Sequence, residues 1–290
     1  MASAKEVQKK IRTTANTKKI TSTMEMVATA RSKRAQNRVQ AATPYSTKLN
    51  EILSSLAGAG SIAHPLLEDP GEVKKTLLLV VTANRGLCGG YNSNVLSMAE
   101  KLLAAEREAG REVEVYMIGK KGIGRFRFLG ESVAQAYTDI EDQPTFADAQ
   151  GLADIFMRRY LAGEAQRVLV ISTRYLTSSL QRAAQTQLLP IPPAELEDGS
   201  DGGGGEDFIF EPDRETILAN LLPLSITQVV YQALLDAAVS EQLARRIAMK
   251  LATDSADDMI KMYTQMYNRQ RQAGITQQIT EIVGGAQALE

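Results

Sequence analysis

The stretch 240-SEQLARRIAMKLATDSADDMIKMYTQMYNRQRQA-273 lies within a segment, residues 224–273, that contains neither glycine nor proline. Residues 1–57 likewise contain no glycine and a single proline, Pro44. Because glycine and proline are the strongest helix breakers, both segments are predicted to be very long helices. Two such helices can pair as an antiparallel rod. A rod of that length has too little surrounding chain to cover it, so we expect a mechanical or connective role and cover from other subunits.

The N-terminal helix is predicted to span residues 3–56. Its apolar residues recur at steps of three and four, which is typical of a coiled-coil seam: Ile20, Met24 and Val27, then Tyr45, Leu49, Ile52 and Leu56. Pro44 is predicted to kink this helix or divide it in two. Residues 13–17 are too polar for an ordinary seam and are expected to face a wetter interface.

The C-terminal helix is predicted to run from Asp213 to about Val283. Pro223 interrupts the pattern, and Ser225 followed by Gln228 predicts a capping box and a second helix start. Val239, Leu243, Ile247 and Leu251 recur at steps of four. The last three of them are predicted to face the N-terminal helix for part of its length. A methionine face is interpreted as coiled-coil core, with a sliding surface as the weaker alternative: Met259, Met262 and Met266.

Between the helices, apolar runs alternate with helical patterns, which is typical of a parallel or mixed α/β sheet. Strands are predicted at 76–83, 112–119, 133–137, 167–175, 186–191 and 208–212, and helices at 92–109 and 145–161. The predicted fold is α/β: a small, doubly wound, Rossmann-like sheet domain inserted between two terminal helices that form an antiparallel coiled coil. The predicted domains are 1–57, 72–212 and 213–290, with a flexible acidic loop at 192–207.

Charge and cysteine content limit the class of protein. Residues 1–50 contain eleven Lys and Arg against two Glu, a net charge of +9 in a chain whose total is −1. This asymmetry predicts that the N-terminal helix meets an acidic partner. Cys88 is the only cysteine, so an internal disulfide is impossible. The sequence shows no apolar run of about 18 residues and no secretory signal, and we expect a soluble, intracellular protein.

Motifs for chemistry are weak. The turn 83-ANRGLCGG-90 follows a predicted strand, but its glycines do not match the dinucleotide pattern, and it is interpreted as a tight turn packing helix on strand. The segment 119-GKKGIG-124 is a still weaker nucleotide candidate. His64 is the only histidine, and Cys88 has no histidine near it in sequence. We therefore predict no catalytic residues, no cofactor and no metal.

Four stretches together resemble the gamma subunit of bacterial F-type ATP synthases, and the likeness extends over essentially the whole chain. They are KEVQKKIRTTANTKKITSTMEMVATARSKRAQ at 5–36, NRGLCGGYNSNV at 84–95, SEQLARRIAMKLATDSADDMI at 240–260 and ITQQITEIVGGAQA at 275–288. The family signature usually has Glu where this chain has Gln278. The chain also lacks the cysteine-pair insertion of chloroplast gamma subunits.

The resemblance implies a non-catalytic rotor shaft that couples proton-driven rotation of the membrane ring to conformational cycling of catalytic beta subunits. It implies partners, namely a hexamer of three alpha and three beta subunits, the epsilon subunit and the c-subunit ring, at the cytoplasmic face of the cell inner membrane. It also implies residues that contact the hexamer: Met24, Arg31, Lys33, Arg245, Gln272, Thr276, Gln278, Ile279 and Ile282.

Two other functions remain open from the residues alone. A nucleotide-binding α/β enzyme with coiled-coil arms would need a phosphate cradle at 84–92. A DNA-binding coiled coil would use the basic residues of the N-terminal helix, and its binding would depend steeply on salt. Neither has its usual motif here, and we predict no nucleic-acid partner.

Overall fold

The computed structural model describes residues 4–57, 64–68, 70–140, 143–192 and 213–287. Its helices are α1 (Ala4–Ala57), α2 (Tyr91–Glu108), α3 (Lys120–Leu129), α4 (Phe146–Leu161) and α5 (Arg214–Gln287). Its strands are β1 (Lys75–Val81), β2 (Glu112–Ile118), β3 (Gln135–Tyr137), β4 (Arg167–Tyr175) and β5 (Gln181–Leu189). The chain forms two compact units, one of Met1–Thr29 with Arg245–Glu290 and the other of Ala30–Ala244.

The five strands form one sheet in the order β3-β2-β1-β4-β5. Strands β3, β2, β1 and β4 are parallel, and β5 returns antiparallel to β4. The predicted mixed α/β sheet is confirmed, with β5 longer than the predicted strand at 186–191. The predicted strand at 208–212 and almost all of the acidic loop lie outside the described residues.

Alternate residues of the central strand, β1, belong to two hydrophobic cores, one on each face of the sheet. Leu78 and Val80 pack with α2 and with Phe126 of α3. Leu77, Leu79 and Val81 pack with α4 on the opposite face. A strand covered on both sides must be apolar at every position, which explains the uninterrupted run that predicts it.

The second core also contains helical residues from outside the sheet domain's own helices. Leu49, Leu53 and Leu56 of α1 belong to it. So do the apolar residues at the start of α5: Leu218, Leu222, Ile226, Val230 and Leu234. Residues 30–57 and 214–244 therefore belong to the same compact unit as the sheet.

The two helix-internal prolines do not divide their helices. Of the two outcomes predicted at Pro44, division is therefore wrong and a kink stays a prediction, and the second start predicted after Pro223 is wrong. Hydroxyl groups supply hydrogen bonds beside each proline. Thr43 Oγ1 donates to the Val39 carbonyl at 2.8 Å. Ser225 Oγ donates back to the Leu222 carbonyl at 2.8 Å, so it serves inside a continuous helix and does not cap a new one.

Helix α5 is, among the described residues, the one helix long and apolar enough by composition to cross a membrane. Within its most apolar window, 44% is buried inside the protein. Leu222, Ile226 and Val230 contribute to the core on the sheet. A core helix passes the same test, so this feature is weak evidence for a membrane span.

Candidate partner-binding surface

The unit of Met1–Thr29 with Arg245–Glu290 is a pair of helices whose register is fixed by three cross-helix contacts. Lys10 Nζ lies 5.9 Å from the centre of the Tyr263 ring. Lys18 Nζ forms an ion pair with Asp257 at 2.6 Å. Thr253 Oγ1 donates to Thr21 Oγ1 at 2.8 Å. The residue numbers of these pairs add to 273, 275 and 274, which confirms the predicted antiparallel pairing.

The seam of this pair consists of small and polar residues for much of its length. Eight positions of α1 that are buried or half-buried repeat at steps of three and four: Ala4, Val7, Ile11, Thr14, Lys18, Thr21, Glu25 and Ala28. The matching positions of α5 have the same spacing: Met249, Thr253, Ala256, Ile260, Tyr263, Tyr267 and Gln270. This alternation is the heptad pattern of a coiled coil.

The predicted seam is correct at Leu243, which packs with Ala35 and Val39 of α1. In the unit of Met1–Thr29 with Arg245–Glu290 it is wrong in register. Ile20 is 60% exposed and Val27 is 48% exposed, while their neighbours Thr21 and Ala28 are buried. On α5, Leu251 is 62% exposed. The residues with the strongest apolar periodicity in this unit are therefore exposed and lie outside the seam.

The outside of the helix pair carries the apolar residues. We call eight of them the outer apolar surface, and each is between 42% and 63% exposed: Ile20, Met26, Val27, Ile247, Leu251, Met259, Met262 and Met266. The interpretation of the three methionines as coiled-coil core is thus wrong. A concentration of exposed large apolar residues on one helix pair indicates a site of interaction.

The end of α5 has no counterpart on α1. Extending the register places Ala4 opposite Gln270, so α5 continues beyond the described start of α1. Every residue from 271 to 285 is exposed. Four apolar residues in this tip are between 49% and 72% exposed: Ile275, Ile279, Ile282 and Val283. A lone helix displaying such residues also needs cover from another molecule.

The predicted hexamer contacts fall into three groups. Met24 is half-buried, and Arg245 is only 8% exposed. The others are exposed: Arg31, Lys33, Gln272, Thr276, Gln278, Ile279 and Ile282. As partner contacts, all nine stay predictions. Apolar periodicity alone does not identify the outer apolar surface as a site. The sequence signal for it is a heptad repeat of small or polar residues next to the apolar ones, such as Thr21 beside Ile20 and Ala28 beside Val27.

The glycine-rich turn after β1 is tied together by side chains. Asn92 Oδ1 accepts from the Ala83 amide at 2.9 Å, and Asn92 Nδ2 donates to the Cys88 sulfur at 3.2 Å. Cys88 itself is buried. Among the described residues, no group of three or more His, Cys, Asp or Glu side chains could hold a metal ion.

A seam that is mostly small and polar on α1, together with large apolar side chains exposed on the exterior, defines a class of protein: a helix pair with an interaction surface. A family model described as ATP synthase matches residues 3–289. The ATP synthase gamma chain of Leptospira biflexa is 45% identical over 290 residues, with all of both chains covered. That of Gemmatimonas aurantiaca is 43% identical, again over the whole of both chains. This chain belongs to the ATP synthase gamma chain family.

The fold is shared with solved rotor structures. A chain in the cryo-EM structure of the Euglena gracilis mitochondrial ATP synthase, in rotational state 3, matches with a TM-score of 0.66 at 16% identity. The match covers 99% of this chain and 94% of that one. At this identity the likeness concerns the fold.

Proposed function

We propose that this chain is the central rotor shaft of an F-type ATP synthase. In this role it makes no catalytic contact with nucleotide. It turns with a membrane-embedded ring of c subunits and the epsilon subunit, inside a hexamer of three alpha and three beta subunits. ATP is made or hydrolysed on the beta subunits. The shaft is then peripheral to the membrane, at the cytoplasmic face of the cell inner membrane.

The observation that supports this proposal most directly is the outer apolar surface. Its residues are exposed in the chain alone, so burying them requires another protein. Apolar contact is non-directional. A surface of this kind can be enclosed by a partner and still turn, whereas a ring of directional hydrogen bonds would hold it at preferred angles.

The mechanism follows from asymmetry. In the helix pair, the described part of α1 begins at Ala4, whereas α5 continues past Gln270, the residue opposite Ala4. The exposed residues of the two helices also differ. Three equal partners around such a shaft meet three different surfaces. Each rotational angle then favours a different conformation in each partner, which is how differential contact shifts a conformational equilibrium.

Reconstitution tests the proposal. The chain is co-expressed with the alpha and beta chains of the same organism, and the complex is isolated by gel filtration. It is then assayed for ATP hydrolysis and for rotation of a bead attached to the sheet-containing unit. We expect a stoichiometric complex with ATP-driven rotation. Nucleotide turnover by the isolated chain would favour the α/β enzyme instead, and tight salt-dependent duplex binding would favour the DNA-binding alternative.

A further inference from the structure

The unit of Ala30–Ala244 contains a cleft of about 710 Å³, and of its lining residues only Arg31 is among the predicted hexamer contacts. Its walls come from α1, from the loops that follow β1, β2 and β3 (with Lys120 at the start of α3), from Asp148 of α4, and from α5. Ligands of α/β proteins bind at the carboxyl ends of parallel strands, which is where these three loops lie. The volume is in the range of small-molecule sites.

The cleft is strongly cationic. Five basic side chains line it, against Asp139 and Asp148: Arg31, Arg34, Arg38, Arg85 and Lys120. None of the described residues forms an ion pair with Arg34, Arg85 or Lys120. Arg31, Arg34 and Arg38 recur at steps of three and four along α1, so the helix presents them on one face.

The loops of the cleft are held in place by Asn84. Its Nδ2 donates to the carbonyls of Thr138 at 3.2 Å and Ile140 at 3.3 Å, after β3. Its Oδ1 accepts from the Lys120 amide at 3.1 Å, after β2. One side chain therefore links the three loops, and these hydrogen bonds hold the backbone that carries Arg85 and Lys120 in place.

The helix start beside the cleft cannot bind an anion through its backbone. The amide of Lys120 donates to Asn84, that of Lys121 to the Ala83 carbonyl and that of Gly122 to Thr82 Oγ1. The charge on a ligand must therefore be met by Arg and Lys side chains. Arginine forks match the oxygens of phosphate groups in geometry as well as charge.

A buried amide in the wall of the cleft also lacks a partner. Gln242 is 2% exposed and lines the cleft from α5. Neither its Nε2 nor its Oε1 has a hydrogen-bond partner among the residues that the structure describes. Leaving such a group unpaired costs free energy, and a phosphate oxygen could accept from Nε2.

We propose that this cleft binds the polyphosphate group of a small molecule, either inorganic pyrophosphate or a nucleoside triphosphate. A concave site lined by several guanidinium groups around one unpaired amide suits a compact, multiply charged anion. The inference concerns residues of the sheet-containing unit alone and does not depend on the rotor role.

Isothermal titration calorimetry of the purified full-length chain at physiological salt tests the site. The titrants are pyrophosphate, ATP, AMP and a glutamate-rich peptide of the same charge as ATP. We expect pyrophosphate and ATP to bind at one site and AMP to bind at least about tenfold more weakly. ATP binding tighter than pyrophosphate would assign the site to a nucleotide, and equal affinity would assign it to the inorganic anion.

Charge-matched variants identify the residues. Arg34→Gln with Arg85→Gln should weaken pyrophosphate binding by at least about tenfold, while Arg158→Gln with Arg182→Gln, which removes equal charge outside the cleft, should change it less than about threefold. Gln242→Leu should weaken binding without lowering the thermal midpoint of the chain. Absence of pyrophosphate and ATP binding, tighter binding of the peptide, or equal loss in both charge-matched variants would overturn the proposal.

Discussion

At the scale of single residues, two glycines of the segment 119-GKKGIG-124 are required by packing. A Cβ on Gly119, whose φ is +95°, would lie 2.2 Å from the Thr82 carbonyl oxygen. A Cβ on Gly122 would lie 2.4 Å from Met117 Sδ and 2.7 Å from Thr82 Oγ1. The glycines thus let α3 approach β1 and β2 closely, a role unrelated to phosphate binding.

Gly122→Ala should therefore destabilise the chain by about 1–3 kcal/mol, because the added methyl group overpacks the contact with Met117 and Thr82. Gly124 is a matched control in the same helix, since nothing lies within 4 Å of its added Cβ. Gly124→Ala should stabilise the chain by up to about 1 kcal/mol through helix propensity. Urea denaturation measures both, and equal effects of the two changes would contradict the packing role.

Asp236 is a second residue with a measurable consequence. It is 6% exposed on α5, and burial raises the pKa of its carboxyl from 3.8 to about 6. A hydrogen bond that Gln232 Nε2 donates at 2.8 Å opposes part of this rise. Because the folded-state pKa is above the unfolded one, the stability that this group contributes is fully present below pH 3.8 and is lost as pH rises through about 6.

Asp236→Asn should remove this pH dependence. Relative to the variant, the parent chain is expected to lose about 2 kcal/mol of unfolding free energy between about pH 4 and pH 7. Asp258→Asn, at an exposed position of the same helix, is the control and should leave the pH profile unchanged. Denaturant unfolding across this pH range gives the difference, and parallel profiles of Asp236→Asn and the parent would argue against a perturbed carboxyl.

At the scale of elements, the sheet could be predicted from sequence and the helix seam could not. The uninterrupted run at residues 77–81 is apolar because this chain covers both faces of the strand. The sequence pattern therefore reports burial within the same chain. In the helix pair the apolar side chains Ile20 and Val27 are exposed, and the seam uses Thr21 and Ala28. Periodicity predicts which face of a helix is apolar. It does not say whether that face is buried by the same chain or by another protein.

Substitutions at two neighbouring residues of α1, Val27 and Ala28, distinguish an exterior position from a seam position. Ala28 is 1% exposed, so Ala28→Leu should push the helices apart and cost about 1–3 kcal/mol of stability. Val27→Ala removes an exposed side chain and should change stability by less than about 0.5 kcal/mol, while weakening association with the alpha and beta chains. Thermal unfolding of the isolated chain and gel filtration of the complex measure these effects. A strongly destabilised Val27→Ala chain would place Val27 in the seam after all.

At the scale of the whole molecule, the tip of α5 tests whether partners supply the missing apolar cover. Ile279 and Ile282 are 56% and 72% exposed. Ile279→Asp with Ile282→Asp should leave the thermal midpoint of the isolated chain nearly unchanged. It should lower the yield of assembled complex strongly, because association would bury unpaired charge at a cost of several kcal/mol.

Ile279→Leu with Ile282→Leu is the matched control for the tip, since it keeps apolar volume and adds no charge. This control is expected to assemble and to hydrolyse ATP like the parent. Assembly is read from the amount of chain that elutes with alpha and beta on gel filtration. Full assembly and normal turnover of the double Asp variant would mean that no apolar surface encloses this tip.

The fixed register of the helix pair makes the length of each helix a constraint in its own right. Facing residues have numbers that add to 273–275. Deleting one residue of α1 between Val7 and Ala28 would turn the seam on one side of the deletion by about 100° about the helix axis. Deleting about seven would restore the face. Past Gln270, α5 has no opposite residue in the described part of α1. Residues can therefore be inserted or deleted there without disturbing the pairing. The length of this end of α5 can vary while the paired part of the two helices stays the same.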